Sequence, residues 1–340
     1  MAALFGENAQ LLNISIEEVY AQIENVIYSL HFGEIIGIIT ITTLPFTVLA
    51  NALILISFCW DHFKEIRRRP SNLFVASLAL TDVLVGLAGP LRSLFVLPGF
   101  KPYRRTGGAV VHVLGNMLLT TSAMHVLFLS LDRCVAITWP LSYNTRVTRR
   151  RVAVSIAVIW MYCISLAVLQ LTLCEHLFIL NSIFIANINL VAFGITLLFL
   201  VAVYSLKKHH NVVLGGNQKP CDNHLLVIRK RERNFTRTFT ALQVVFKVCY
   251  LPMVFVWTLL FICSTCSPTI LVGFLAVSIV LVNINSCLNP WLYAYRMPKF
   301  KKMIRLVRTR IFHACRLKNS VQTQKDITAN KLSSQIETKL

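Results

Sequence analysis

Seven apolar stretches, at roughly 34–59, 72–97, 108–138, 152–173, 180–206, 235–263 and 269–295, constrain this chain more than anything else in it. Each is long enough to cross a bilayer at about 20 residues per helix. Lipid offers backbone groups no hydrogen-bond partner, so such segments must be helices that satisfy their own N–H and C=O groups. Composition agrees. Only 14% of the 340 residues are charged, where a soluble domain carries about 25%, and mean hydropathy is +0.64. The expected fold is an all-α membrane protein: a seven-transmembrane helix bundle with a short amphipathic eighth helix.

The linkers set the orientation. Lys64, Arg67, Arg68 and Arg69 follow the first span, and Arg146, Arg149, Arg150 and Arg151 follow the third. Lys207, Lys208, Lys219, Arg229, Lys230, Arg231, Arg233 and Arg237 follow the fifth, and the tail after the seventh is also basic. With seven spans these four regions share one side, and the positive-inside rule makes it the cytoplasm. Arg92, Lys101, Arg104 and Arg105 dissent from the outer side but are outnumbered. The net charge of +20 therefore reads as juxtamembrane charge facing anionic lipid, not as a nucleic-acid surface. No nucleic-acid partner is expected.

Residues 1–33 form an extracellular N-terminus in which Asn13-Ile14-Ser15 is a glycosylation sequon. No basic region precedes an apolar run there, so the first span is expected to serve as the targeting signal. Residues 34–297 are the seven-helix domain. From Pro298 to Cys315, Phe300, Met303, Ile304, Val307 and Ile311 recur at helical spacing against Lys299, Lys301, Lys302, Arg305, Arg308 and Arg310. This predicts a basic amphipathic helix lying on the membrane lipids of the inner leaflet, with Cys315 a palmitoylation candidate. Residues 316–340 are polar and expected to be disordered.

Polar residues inside membrane helices are functional candidates by default. Asp82 lies deep in the second span. Asn285, Ser286 and Asn289 in the seventh, Ser122 in the third and Asn51 in the first offer it oxygens and amide donors. Asn285 and Asn289, four apart, share a helix face. The set suits a small hard cation such as sodium, or a protonated Asp82 in an interhelical hydrogen-bond network. Lys247 lies mid-span in the sixth segment. It is expected to pair with Asp82, or to donate to Asn285 and Asn289 in place of sodium. The alternative is a lysine kept neutral by burial.

At the inner end of the third span stand Asp132, Arg133 and Cys134. Adjacent opposite charges there neutralise each other or reach another helix, and Glu232 is a candidate partner across the inner face. Pro252 in the sixth span and Pro290 in the seventh each remove a backbone donor and kink their helix, which suits a two-state switch.

Taken together, these residues resemble the rhodopsin-like (class A) G-protein-coupled receptors over about residues 34–315. Asn51 matches the first helix's Asn, Leu78–Asp82 the second's LAxxD, and Asp132-Arg133-Cys134 the third's DRY with Cys for Tyr. Trp160 matches the fourth's Trp and Tyr204 the inner Tyr of the fifth. Cys249-Tyr250-Leu251-Pro252 resembles CWxP, and Asn289–Tyr293 matches NPxxY. The resemblance implies a non-enzymatic plasma-membrane receptor that couples an extracellular ligand to a heterotrimeric G protein, with arrestin as a further partner. It implies a sodium pocket from Asp82, Ser122, Asn285, Ser286 and Asn289, and an inactive-state clasp of Arg133 with Asp132 and Glu232. On activation the sixth helix swings outward. Arg133, Tyr204 and Tyr293 then rearrange to admit a G-protein α-subunit helix, against which Leu141 packs.

Departures from the pattern bear on the ligand. The usual cysteine at the outer start of the third helix is replaced at about Gly108, so Cys174 lacks its normal partner. A local Cys263–Cys266 disulfide and a bridge from either to Cys174 both stay open. The amine-binding Asp position is Gly115, which disfavours biogenic amines; the retinal-lysine position is Asn283. The fifth-helix Pro is replaced by about Thr196 and the toggle Trp by Tyr250. The missing Cys and Pro resemble the melanocortin, lysophospholipid and cannabinoid receptor group. Position places Asn116, Leu119, Asn189, Met253, Trp257 and Asn283 in an outer ligand cavity. A transporter or channel is the rival, but it predicts paired broken helices in both halves, and the strong breaks here are both in the last two helices. A receptor-like protein that signals constitutively, or not at all, is the other alternative.

Overall fold

The computed structural model describes residues 32–59, 69–94, 109–139, 142–172, 177–215, 243–256, 258–259 and 267–296, together with Arg305 and Thr309. Seven apolar helices are described: α1 (Phe32–Cys59), α2 (Asn72–Leu94), α3 (Ala109–Thr138), α4 (Arg149–Thr172), α5 (Leu177–Gly215), α6 (Gln243–Val256) and α7 (Pro268–Arg296). A one-turn helix, Tyr143–Arg146, joins α3 to α4. Six of the seven are long and apolar enough to cross a membrane, and α6 is shorter over its described length. No strand occurs among the described residues. The expected N-terminal segment with Asn13, the palmitoylation candidate Cys315, the disulfide candidates Cys174, Cys263 and Cys266, and all of the amphipathic helix but Arg305 and Thr309 lie outside the described residues.

Local chemistry sets the helix boundaries. Pro70 sits in the turn that starts α2, where a missing N–H costs nothing; Asn72, Leu73 and Phe74 donate back to the carbonyls of Arg69, Pro70 and Ser71. Thr148 caps α4 by accepting the Arg151 N–H at 3.4 Å. Inside the spans, hydroxyls have no water to bond. They turn onto carbonyls of the preceding turn instead, as Thr47 does to Thr43, Thr121 to Met117 and Ser130 to Val126.

The helices are not equivalent. In α3, 67% of the apolar window is buried, against 22% in α1, α4 and α5, so α3 is the central post. It packs on α2, α4 and α5, while α1 and α7 close the other side through α2. Ile54, Leu78, Leu129, Ile159 and Ile195 are fully buried between them. The outside is inverted relative to a soluble protein. Leu190, Phe193, Phe255, Phe274 and Trp291 are exposed, as expected where the surrounding medium is acyl chain. Close backbone approach occurs at Gly86, where a Cβ would come within 3.2 Å of Thr47 and Val48 side chains of α1.

Candidate functional site

Two buried polar clusters lie along the α3 axis. The inner one contains Asp132 and Arg133, which are 5% and 4% exposed. Arg133 Nε donates to Asp132 Oδ2 at 2.9 Å, and Arg133 Nη2 donates to the same oxygen. Arg133 Nη2 also reaches Ser71 Oγ at 3.1 Å and Tyr143 Oη at 3.1 Å. Tyr143 donates to Asp132 Oδ1 at 2.8 Å. Its only proton is thereby committed, so Ser71 is the donor in the 2.9 Å Ser71–Tyr143 contact. Burial pushes the Tyr143 phenol up from 10.0 to about 12, with the Arg133 charge opposing, so it stays a neutral donor at physiological pH. The neighbouring charges thus hold each other, and two neutral hydroxyls complete their shell. A buried pair without such extra bonds is costly.

Ser71 and Tyr143 were not foreseen as latch partners, whereas the expected Glu232 and Leu141 lie outside the described residues. Tyr204 is 69% exposed on α5, away from this cluster. Tyr293 falls within α7, but its side chain lies outside the described residues. The altered third residue has a role of its own: Cys134 Sγ donates to the Leu198 carbonyl of α5 at 3.0 Å. One turn above Arg133, Gln243 of α6 donates to Ser130 Oγ at 2.6 Å, the polar tie between α6 and α3 among the described residues.

The second cluster is at mid-membrane. Asp82 is fully buried and accepts from Ser286 Oγ at 2.8 Å and Asn289 Nδ2 at 2.7 Å. Asn51 Nδ2 donates to the Ser286 carbonyl at 3.1 Å, tying α1 to α7. Ser122 and Tyr250 stand beside Asp82, and the Tyr250 ring stacks on Phe246 with centroids 4.1 Å apart. Pro290 is buried next to Asn289, and Pro252 is part-buried two residues beyond Tyr250. Four buried oxygens here, on Asn51, Ser122, Asn285 and Asn289, accept no hydrogen bond, and the Asn285 Nδ2 is likewise unbonded. Oxygen-rich, acidic and under-satisfied, the donor set fits a small hard cation.

Lys247 does not belong to this cluster, and its expected pairing is corrected. Its Nζ lies 4.5 Å from the centroid of the Phe199 ring on α5. The residue sits on the outward side of α6, among side chains that line a groove between α5, α6 and α7. Counting three residues back from Tyr250 put it near α7, but the helix turns that position towards α5.

The expected ligand residues are distributed as follows. Asn116 is buried on α3 with Nδ2 3.1 Å from His112 Nε2. Leu119 and Met253 are members of the packed apolar core. Asn189 and Asn283 bond their amides to carbonyls of their own helices, Ile185 at 2.9 Å and Ile279 at 2.8 Å. Trp257 lies outside the described residues. A further network joins α2, α3 and α4. His125 Nδ1 is 2.7 Å from the Thr121 carbonyl, which can only accept, so Nδ1 carries the proton. Nε2 then accepts from Ser77 Oγ at 2.7 Å, and Ser77 accepts from Trp160 Nε1 at 3.1 Å. A histidine four residues after Thr121 and a serine four before Thr81, both on the inner faces of spans, were the available sequence signal.

Seven apolar helices with α3 as their central post, a buried carboxylate at mid-membrane and an arginine latch at the inner end define a seven-helix membrane receptor. Residues 50–293 match the family described as 7 transmembrane receptor (rhodopsin family), and the chain belongs to that family. It is a multi-pass membrane protein and a G-protein-coupled receptor, of a family whose members are receptors and not enzymes. Trace amine-associated receptor 13c of Danio rerio is 27% identical over 315 residues, 82% of this chain and 87% of that receptor. 5-Hydroxytryptamine receptor 4 of Homo sapiens is 25% identical over 335 residues, 87% of this chain and 82% of that receptor. Alpha-2B adrenergic receptor of Equus caballus is 37% identical over 117 residues, 34% of this chain and 29% of that receptor. The expected likeness to the melanocortin, lysophospholipid and cannabinoid group finds no support in these relatives.

Proposed function

We propose that this receptor sits in the plasma membrane with its N-terminus outside, and that its ligand is a neutral, largely apolar molecule and not a protonated amine. The carrying observation is Gly115, one residue before the buried Asn116 on α3, where an amine would need a carboxylate. Of the acidic residues described, Asp82 is committed to Ser286 and Asn289 and Asp132 to Arg133 and Tyr143, while Glu34 is exposed in the first turn of α1. A buried ammonium without a counter-ion is strongly penalised. The names of the relatives support the opposite reading, an amine ligand. A G-protein activation screen in cells, run over amines, lipids and peptides, separates the two. Saturable activation by an amine would sink the neutral-ligand reading.

In this reading the ligand biases the bundle from the outer half, and the Asp82 cluster relays the bias to the inner latch. When bound, a sodium ion supplies a positive charge that neutralises Asp82 without a proton. The Asp82 carboxylate would hold it, with the hydroxyl of Ser122 and the amide oxygens of Asn285 and Asn289. Asn289 already donates to Asp82 through Nδ2, and its oxygen, which has no partner, would be available as a ligand. Ser286 and Asn51 hold α7 in place around it. Arrestin binding at the opened inner face is part of the same proposal.

A further inference from the structure

Four arginines crowd the end of the bundle that holds the latch: Arg146 in the one-turn helix, and Arg149, Arg150 and Arg151 in the first turn of α4. All four are exposed. Two of them are already held in place. The Arg146 guanidinium lies 4.8 Å from the centroid of the Trp139 ring, and its Nε donates to Ser142 Oγ at 3.2 Å. Arg151 Nη1 donates to the carbonyls of Thr145 at 3.1 Å and Arg146 at 2.8 Å. These bonds fold Arg151 back onto the one-turn helix and draw the two ends of the cluster together. Side chains held in this way lose little further freedom when they bind a ligand.

The depth of the cluster is marked on both sides. Trp139 directly follows α3 and is 47% exposed, the placement of an aromatic ring at a membrane–water interface. On the other side α4 turns apolar from Val152 onwards. Arg150 heads a stripe along its outward face: Val154, Ala157 and Met161 follow at helical spacing, with Val158 beside them, and all four are exposed. In a membrane these residues face acyl chains. Helical side chains lean towards the helix N-terminus, so the arginines of the first turn lean away from the hydrocarbon. From Arg150 to Met161 the helix rises about 16 Å, and the hydrocarbon depth of one leaflet is about 15 Å. The stripe thus starts at headgroup level and ends near the midplane.

We propose that this face of α4 and the one-turn helix is a binding site for a phosphoinositide, a phospholipid whose inositol headgroup carries several phosphates. A guanidinium presents a planar fork of N–H donors that matches phosphate oxygens, and several such forks together call for more than one phosphate. The headgroup sits among Arg146, Arg149, Arg150 and Arg151, and one acyl chain runs along Val154, Val158 and Met161. The occupant bridges α4 and the short helix whose Tyr143 bonds Asp132 of the latch. That the leaflet is the cytoplasmic one rests on the orientation proposed above; the site itself does not.

The test uses the full-length receptor in phosphatidylcholine vesicles doped, in both leaflets, with phosphatidylinositol bisphosphate that carries a photoactivatable acyl chain. Because both leaflets hold the lipid, the result is independent of the receptor's orientation. Labelling is expected on α4 between Val154 and Met161. The double variant Arg149→Gln, Arg150→Gln reduces it roughly thirtyfold, the equivalent of two basic side chains at about 1 kcal/mol each, and the corresponding double lysine variant keeps most of it. In the wild type, added KCl weakens labelling, because exposed charges are screened; this arm needs no variant. Equal labelling by photoactivatable phosphatidylcholine, or unchanged labelling in the double glutamine variant with normal thermal stability, overturns the proposal. Equal labelling by photoactivatable phosphatidylserine at matched total charge overturns it as well, since the patch then attracts any anionic surface. So does displacement of the label by soluble inositol trisphosphate as readily as by the unlabelled lipid, since the ligand is then a free phosphate and the apolar stripe has no part in it.

Discussion

Tyr143→Phe removes one oxygen from the latch and nothing else. That oxygen donates to Asp132 at 2.8 Å, accepts from Arg133 at 3.1 Å and pairs with Ser71 at 2.9 Å. Hydrogen bonds to charged groups contribute about 1.5–3 kcal/mol each. The sum is not lost, because the Asp132–Arg133 pair survives the substitution and Tyr143 is only part-buried, so cytoplasmic water can replace its hydroxyl. A net loss of about 1.5 kcal/mol from the latched state is the reasonable figure, or a little over tenfold in the equilibrium. A minor signalling state is typically populated at about 0.1–10%. Basal signalling should therefore rise about tenfold, and less if it begins near the top of that range. The assay is ligand-independent G-protein activation in cells at matched surface expression, with Arg133→Ala as the uncoupled control. Ser71→Ala, which removes neutral and charge-assisted contacts but leaves Tyr143 on Asp132, should raise basal signalling by a smaller factor. Unchanged or reduced basal signalling in Tyr143→Phe, with Arg133→Ala silent, would refute the claim that this hydroxyl holds the latch shut.

Three other outcomes follow from the same geometry. Cys134→Tyr restores the family's usual residue but forces a ring into a buried site bonded to Leu198. Overpacking of this kind costs about 1–3 kcal/mol, so thermal stability in detergent should fall, and an unchanged melting temperature would show that α5 has room to move. His125→Leu leaves the Ser77 hydroxyl and the Thr121 carbonyl short of a partner in the core; at about 1–3 kcal/mol for a stranded polar group, it should destabilise more than His125→Gln, a ranking readable from the same melting curves. Ligand affinity should respond to sodium in the wild type and lose that response in Asp82→Asn, while Lys247→Leu keeps it, because Lys247 points to Phe199 and not into the cluster. A sodium response abolished by Lys247→Leu would restore the lysine to the polar core.

The seven spans were legible because lipid leaves a chain so few choices: length and apolarity alone decide a helix. The mid-membrane cluster was legible for a related reason. A carboxylate in a span needs partners, and few polar residues were available to serve. The structure joins Asp82 to Ser286 and Asn289, as the inventory required. What the sequence concealed was direction. Lys247 and Asn285 are both polar residues in apolar helices, yet one turns out to the lipid face and the other is fully buried. Only the rotation of each helix about its axis separates them, and near-uniform apolarity carries little record of that rotation. Tyr143 was hidden differently. It sits in a short connecting helix, where spacing along the chain says little about which residue folds back under the bundle.

That hidden rotation bears on how the receptor switches. Among the described residues the inner latch joins α3 to the start of α2 and to the Tyr143 helix, and α6 takes no part in it. What holds α6 to the post is the Gln243–Ser130 bond between two neutral groups, together with apolar packing around Phe246 and Tyr250. A neutral hydrogen bond contributes about 0.5–1.5 kcal/mol, far less than parting a buried ion pair at about 3–5 kcal/mol. Parting the described length of α6 from α3 is therefore inexpensive in polar terms, and it leaves the Asp132–Arg133 pair intact. The larger barrier lies in releasing Arg133 from Asp132, Ser71 and Tyr143. The geometry divides the switch into two steps of unequal cost.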